Sequence, residues 1–199
     1  MLGLVLASTT ACTGGSQPSA EQADDATPGQ STGGSSAPAP RSVPFRTEVT
    51  HVAGKLGAGE RRVVATRVGR TLSAYVDAAF LAGGYPRSDF EASFGAFTEG
   101  GARQARRDIA LLTNQPLGET TRTVQATRRT AYLSVLAPKG TVSGVTAAVD
   151  LVFRVDRGSR PGRRVRLKGR LLLTKDRSGS WTIFGYDLDR SATSLQAAS

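Results

Sequence analysis

Residues 143–175 read SGVTAAVDLVFRVDRGSRPGRRVRLKGRLLLTK, and in two parts of this stretch apolar residues occupy every second position. Successive side chains of a β-strand point to opposite faces of a sheet, so the spacing predicts strands over residues 143–155 and 163–175. Residues 157–162, which contain two glycines and a proline, are typical of a turn. The buried face is expected to carry Val145, Ala147, Val149, Leu151, Phe153, Val155, Val165, Leu167, Gly169, Leu171 and Leu173.

Two flanking segments complete the predicted sheet. Residues 121–137 are rich in threonine, valine and arginine and contain several apolar residues, which favours a strand. Residues 180–189 form the last strand, and residues 176–179 make the hairpin connection before it. We therefore expect four strands or more in a mostly antiparallel sheet.

The first half of the domain is predicted to be helical. In residues 60–81 the apolar side chains recur at intervals of three and four, which places them on one side of a helix. A short helix with Phe90, Phe94 and Phe97 follows, and then a third helix over residues 101–113. Helices followed by a run of strands indicate an α+β domain.

This element order and the closing sequence GSWTIFGYD, residues 179–187, resemble the nuclear transport factor 2-like superfamily. The resemblance spans about residues 60–190 and is nearest to lipoproteins and Mce-associated proteins of actinobacteria, and more distant from SnoaL-like enzymes. It implies a curved sheet wrapped round the first helix as a cone, with a pocket at its open end. Some members are isomerases, cyclases or dehydratases and others only bind partners, so the fold does not settle the function.

Cys12 is the only cysteine, and it follows a short apolar run and Ala11. This order resembles the end of a bacterial lipoprotein signal peptide, with Thr9 where the family usually has an aliphatic residue. The resemblance implies that residues 1–11 are a signal segment, that Cys12 receives acyl chains, and that the protein lies on the extracytoplasmic face of a membrane. No Lys or Arg precedes Cys12, which a start upstream of Met1 would explain. An ordinary buried cysteine is the alternative.

Composition divides the rest of the chain. Residues 12–44 are mostly Gly, Ser, Thr, Ala, Pro and Gln, and such a segment cannot bury enough apolar surface to fold, so it is expected to be a disordered tether. Residues 45–190 form the α+β domain, and residues 191–199 a flexible tail.

Positive charge is concentrated in the domain. Residues 41–199 contain 26 basic and 13 acidic side chains, which gives a formal net charge of +13. Basic surfaces attract nucleic acid, anionic lipid or acidic polymers, and an extracytoplasmic address favours lipid or wall polymer over nucleic acid. One strand face carries four cations, which form either a solvated outer face or a binding stripe: Arg164, Arg166, Lys168 and Arg170.

Candidates for chemistry are few. An enolising enzyme needs a carboxylate base in an apolar pocket, and the acids considered are Asp187 and Asp77. Asp187 shares strand parity with Trp181 and would point into the cone if no bulge intervenes, whereas Asp77 lies off the apolar side of its helix. Tyr75, Tyr132 and Trp181 are the possible pocket donors. A single histidine, His51, makes a metal site or a catalytic triad a poor hypothesis, and no cofactor is expected.

These observations favour a membrane-anchored extracytoplasmic lipoprotein whose domain binds a partner protein or an apolar small molecule without catalysis, in envelope transport or assembly. A small isomerase- or cyclase-type enzyme is one alternative. A basic adaptor for anionic lipid or wall polymer is the other.

Overall fold

The computed structural model describes residues 43–195, so the predictions for the signal segment, for Cys12 and for most of the tether lie outside the described residues. The sheet has five strands in the order β1-β2-β3-β4-β5, with β1 parallel to β2 and the other neighbours antiparallel. The strands are β1 Arg46–Gly54, β2 Thr123–Ala137, β3 Gly144–Arg157, β4 Arg160–Lys175 and β5 Trp181–Ser194. The α+β class is confirmed, and the sheet is mixed.

The α-helices lie between β1 and β2 in the chain, and they pack on one face of the sheet, which we call its inner face. The first, α1, is followed by a π-helical turn at Asp77–Leu81, and a short 3-10 helix occupies Glu91–Ala96. The α-helices are α1 Ala58–Val76, α2 Glu99–Arg107, α3 Ile109–Leu112 and α4 Gln115–Gly118, and a 3-10 turn at Pro138–Gly140 joins β2 to β3.

The helix arrangement differs from the predicted three helices. Residues 101–113 do not form one helix, because Asp108 has non-helical backbone angles and separates α2 from α3. The carboxylate of Asp108 is held by Tyr186 and Gln104, at 2.5 Å and 2.9 Å respectively, which fixes the chain at this break. Thr98 caps α2 by accepting a hydrogen bond from the backbone N–H of Gly101.

Strand β1 was not predicted from the sequence. Its residues are mostly half-buried or exposed, and its pairing with β2 shifts register between Val49 and His51, so its apolar residues do not alternate cleanly. Thr47 fixes the strand to α1, since its Oγ1 donates to the carbonyl of Ala65 at 3.0 Å. At the other end of the domain, β5 continues four residues beyond the predicted boundary at Arg190.

The core lies between the inner face of the sheet and the helices. Each expected inward position of β3 is fully or almost fully buried, and the stacked rings of Phe80 and Phe153 have centroids 4.4 Å apart. Helix α1 contributes one side of the core, with Val64, Val68, Leu72, Tyr75 and Val76. The outer face of the sheet carries most of its charged side chains, together with some apolar ones such as Tyr132 and Leu136.

Candidate anion-binding face

The outer face of the sheet carries the predicted basic row on β4. Arg164, Arg166, Lys168 and Arg170 are all exposed, and they alternate with buried residues. Each of these four cations lies beside residues of the neighbouring strands β3 and β5. The charges of those residues differ between the two ends of the row.

At one end of the row the cations face acids. Lys168 lies opposite Asp189 and Arg170 lies opposite Asp187 on β5. Opposite charges on cross-strand partners compensate one another. This end therefore has little net charge to offer an anionic ligand.

At the other end, Asp150 of β3 holds two arginines from different strands. Nη1 of Arg128 lies 2.7 Å from Oδ2 of Asp150, and Nε and Nη2 of Arg166 lie 2.9 Å and 3.0 Å from its two oxygens. Burial opposes ionisation of Asp150, but the hydrogen bonds from Arg166 and Arg128 outweigh it and hold the pKa of this carboxyl below its ordinary value. One carboxylate thus fixes two guanidinium groups side by side.

Beside this triad, Arg154 of β3 stands directly opposite Arg164 of β4. Within residues 43–195, neither arginine forms an ion pair. Like charges on facing positions destabilise a sheet. We name the group of Arg128, Arg154, Arg164, Arg166 and Asp150 the arginine cluster; its formal net charge is +3.

A cleft of about 250 Å³ lies within the arginine cluster and is lined by Thr127, Arg128, Val152, Arg164 and Arg166. Val152 lies between its partners Arg128 and Arg166 on the two neighbouring strands, so apolar surface separates the guanidinium groups. The planar fork of a guanidinium matches the paired oxygens of a phosphate or carboxylate. The cleft can therefore hold such an anion.

A bulge in β2 places Arg128 in the arginine cluster. Arg128 pairs with Val152 of β3, and Thr127 is the extra residue of β2, with its Oγ1 donating to the carbonyl of Val152 at 3.2 Å. An extra residue reverses the faces that the following side chains take. Arg128 consequently points outward and Arg129 inward.

Two predicted pocket residues lie on the outer face instead. Asp187 is exposed, because Phe184 is a bulged residue of β5 that the pairing with β4 passes over, and the parity of the strand changes there. The carbonyl of Ile183 accepts a hydrogen bond from the N–H of Thr98 at this point, which ties the bulge to the start of α2. Tyr132 is 49% exposed and also faces outward. Neither of these residues can serve a pocket on the inner face of the sheet.

Tyr75 and Trp181 are both buried. The Tyr75 hydroxyl donates to the carbonyl of Leu112 at 2.7 Å, and burial raises the pKa of Tyr75. This hydrogen bond satisfies the Tyr75 hydroxyl without a ligand. Trp181 is 6% exposed, and Nζ of Lys175 lies 5.4 Å from its ring centroid.

Asp77 lies off the apolar side of its helix, as the sequence predicts, and it has a buried partner that the sequence does not reveal. Its Oδ1 accepts a hydrogen bond from Nη2 of Arg129 at 2.7 Å, and its Oδ2 accepts one from Ser73 at 3.0 Å. The guanidinium of Arg129 also lies 5.4 Å from the ring centroid of Phe45, the residue immediately before β1. This carboxylate therefore stabilises the packing of β1 and β2 against α1.

No protein-family model matches the chain, and comparisons with curated proteins and with solved structures find no significant match. Among residues 43–195, no group of three or more His, Cys, Asp or Glu side chains is placed to hold a metal ion. In the same part of the chain, no helix has the length and apolar content needed to span a bilayer.

Proposed function

We propose that this chain is a lipoprotein anchored through Cys12 on the extracytoplasmic face of a membrane, and that its domain binds the anionic headgroups of that membrane without catalysis. We further propose that the domain has the cone-shaped nuclear transport factor 2-like fold. In this role the acyl chains hold the protein at the membrane, and the arginine cluster sets the orientation of the domain upon it.

Arg154 and Arg164 occupy facing positions on β3 and β4, and neither has an acidic partner among residues 43–195. This juxtaposition of two cations carries the proposal. Their mutual repulsion is relieved when phosphate oxygens lie between the two guanidinium groups. Arg128 and Arg166 are already ordered by Asp150, so little side-chain freedom is lost when an anion binds. Each cation near an anionic membrane surface contributes about 1 kcal/mol, which is sufficient to orient a domain that is anchored by other means.

The start of the domain supports the choice of the anchoring membrane as partner. The N–H of Val43 donates to the carbonyl of Ala126 at 3.3 Å, immediately before the bulge in β2. A cleft of about 310 Å³ is lined by Val43, Pro44 and Arg46 at the start of the described chain and by residues 127–130, including Arg128, at the bulge. The segment that leads from Cys12 therefore joins the domain beside the arginine cluster.

An apolar ligand in the cone, a partner protein there, and an enzymatic reaction with Asp187 or Asp77 as base have less support. Five clefts formed by residues within 43–195 include neither Tyr75, Tyr132 nor Asp187 in their lining. The carboxylate of Asp77 binds Arg129, and Asp187 faces outward.

The lipid contact is tested by co-sedimentation of the full chain carrying Cys12→Ser, so that acyl chains do not contribute. Vesicles of phosphatidylcholine alone are compared with vesicles that also contain phosphatidylglycerol. Arg154→Glu with Arg164→Glu should weaken binding to the anionic vesicles by at least about tenfold. Arg103→Glu with Arg107→Glu on α2 makes the same change in net charge and should have a much smaller effect. Equal effects of the two double variants would refute a localised contact.

The anchor is tested separately in cells. Wild-type protein should be in the membrane fraction, and Cys12→Ser should be in the soluble extracytoplasmic fraction after a wash at high salt, which screens the arginine cluster. Membrane retention of Cys12→Ser after this wash would contradict lipid attachment at this residue.

A further inference from the structure

A second basic surface lies along the exposed side of α1. Two clefts of about 380 Å³ and 330 Å³ are both lined by Arg67 and Arg70. One extends to the β4–β5 hairpin at residues 178–181, and the other extends toward Arg62 and Thr66. We name the surface formed by these two neighbouring clefts, which share Arg67 and Arg70, the α1 groove; its lining includes Arg62, Thr71, Ser180 and Trp181.

The cations of the α1 groove have no carboxylate partner within residues 43–195. Arg67 and Arg70 are three residues apart on the helix, a spacing at which like charges repel. Arg62 lies about one turn and a half before Arg67 on the same helix. The only acid in α1, Glu60, accepts a hydrogen bond from the N–H of Gly57 at 2.9 Å. An anionic ligand would offset the repulsion between Arg67 and Arg70.

The hairpin wall of the α1 groove is held in place by hydrogen bonds. Oδ1 of Asp176 accepts from the N–H groups of Ser178 and Ser180, at 2.9 Å and 3.0 Å. Thr71 donates to the carbonyl of Trp181 at 3.2 Å, which joins the hairpin to α1. The groove is therefore formed before any ligand binds. The carboxylate of Asp176 is directed at the backbone of the hairpin.

The location of the α1 groove separates it from the arginine cluster. Helix α1 packs on the inner face of the sheet through Val64, Val68 and Leu72, so the α1 groove lies on the helix-covered side of the sheet. The arginine cluster lies on the outer face. A membrane bound at the arginine cluster leaves the groove open on the opposite side of the domain.

We propose that the α1 groove binds a linear polymer that carries phosphate groups. Residues 62–70 extend for about 12 Å along the helix, which is longer than one phosphate and suits several charges in a row. Guanidinium groups bind phosphate oxygens in a bidentate manner. The groove requires no lipid and does not depend on the proposed membrane contact, and together the two surfaces would let one domain connect a membrane to a polyanion.

The experiment measures binding of long-chain inorganic polyphosphate to the full chain carrying Cys12→Ser, at a fixed salt concentration. Arg67→Glu with Arg70→Glu should weaken binding by at least about tenfold, because two attractive charges become repulsive. Arg154→Glu with Arg164→Glu, and the α2 control Arg103→Glu with Arg107→Glu, should each weaken it far less. The α1 variant should still bind phosphatidylglycerol vesicles as the parent chain does, which also shows that it is folded.

Three results would overturn the proposal. One is loss of polyphosphate binding to the same extent in all three double variants, which would show that binding depends only on the net charge of the protein. Another is equal affinity for polyglutamate of similar length, which would remove the preference for phosphate. The third is undiminished polyphosphate binding by the Arg67→Glu, Arg70→Glu chain. The membrane contact is judged from vesicle binding, so either proposal can fail alone.

Discussion

Nη2 of Arg129 lies 2.7 Å from Oδ1 of Asp77, and this pair joins the inner face of β2 to the turn that follows α1. The Arg129 side chain is 8% exposed, whereas that of Asp77 is 42% exposed. Truncation of the carboxylate would leave a buried cation with Ser73 as its remaining side-chain partner.

We expect Asp77→Ala to lower the free energy of unfolding by about 1–3 kcal/mol, which is less than for a fully buried pair because water reaches Asp77. Urea denaturation measures the change. Glu119→Gln, at an exposed position, should change the same quantity by less than about 0.5 kcal/mol. A similarly small effect of Asp77→Ala would mean that this ion pair does not stabilise the fold.

The hydroxyl of Tyr186 donates to Oδ2 of Asp108 at 2.5 Å, between β5 and the break that separates α2 from α3. The hydrogen bond from Tyr186, followed by that from Gln104, holds the pKa of Asp108 below its ordinary value. Burial and the bond to Asp108 raise the pKa of Tyr186 to about 12.

This pair should make stability fall at both extremes of pH. The contribution of Asp108 is present above its unfolded pKa of about 3.9 and is lost as the pH falls through its lower folded value. That of Tyr186 is present below its unfolded pKa of about 10 and is lost as the pH rises toward its higher folded value. Tyr186→Phe should flatten both limbs of a plot of urea midpoint against pH. A variant profile parallel to that of the wild type would contradict this assignment.

Gly169 of β4 has a φ of 140°, and a Cβ there would lie 2.2 Å from the carbonyl oxygen of Asp187. Gly169→Ala should therefore displace β5 and destabilise the domain by about 3 kcal/mol or more. Gly59→Ala in α1 is the matched control, since a Cβ there meets nothing within 4 Å and alanine favours a helix. It should stabilise by about 0.5–1 kcal/mol. Thermal unfolding of both variants distinguishes the two sites.

Arg164 should be unfavourable for stability because it faces Arg154. Arg164→Thr is expected to raise the free energy of unfolding by about 0.2–1 kcal/mol in low salt. Added salt should reduce this gain, since screening weakens the repulsion in the wild type. The same variant should bind anionic vesicles more weakly, so stability and binding would change in opposite senses. If Arg164→Thr is less stable than the wild type at low salt, the two arginines are not in conflict.

The strands with regular alternation are predictable from sequence. Burial in β3 and β4 follows the period of two from Val145 to Leu173, because both strands lie in the middle of the sheet and pack one face on helices. The outward positions of Asp150 and Arg154 are predictable for the same reason.

Bulges and long-range pairs limit prediction at the site. The bulges at Thr127 and Phe184 change which side chains face inward, and no residue pattern marks them. They decide that Arg128 joins the arginine cluster and that Asp187 faces outward. The bulge at Thr127 turns Arg129 inward, and its partner there is a distant residue, Asp77.

Strand β1 is the first element of the described chain, yet its partner β2 lies 84 residues further on, with Arg46 beside Thr130. The two strands run in the same direction. A force applied through the segment before Val43 would act along the axis of β1 and load the hydrogen bonds of the β1–β2 ladder in shear, all at once. Such a geometry resists pulling better than strands that open one bond at a time. A pull along the axis of β1 would thus be opposed by the whole β1–β2 ladder.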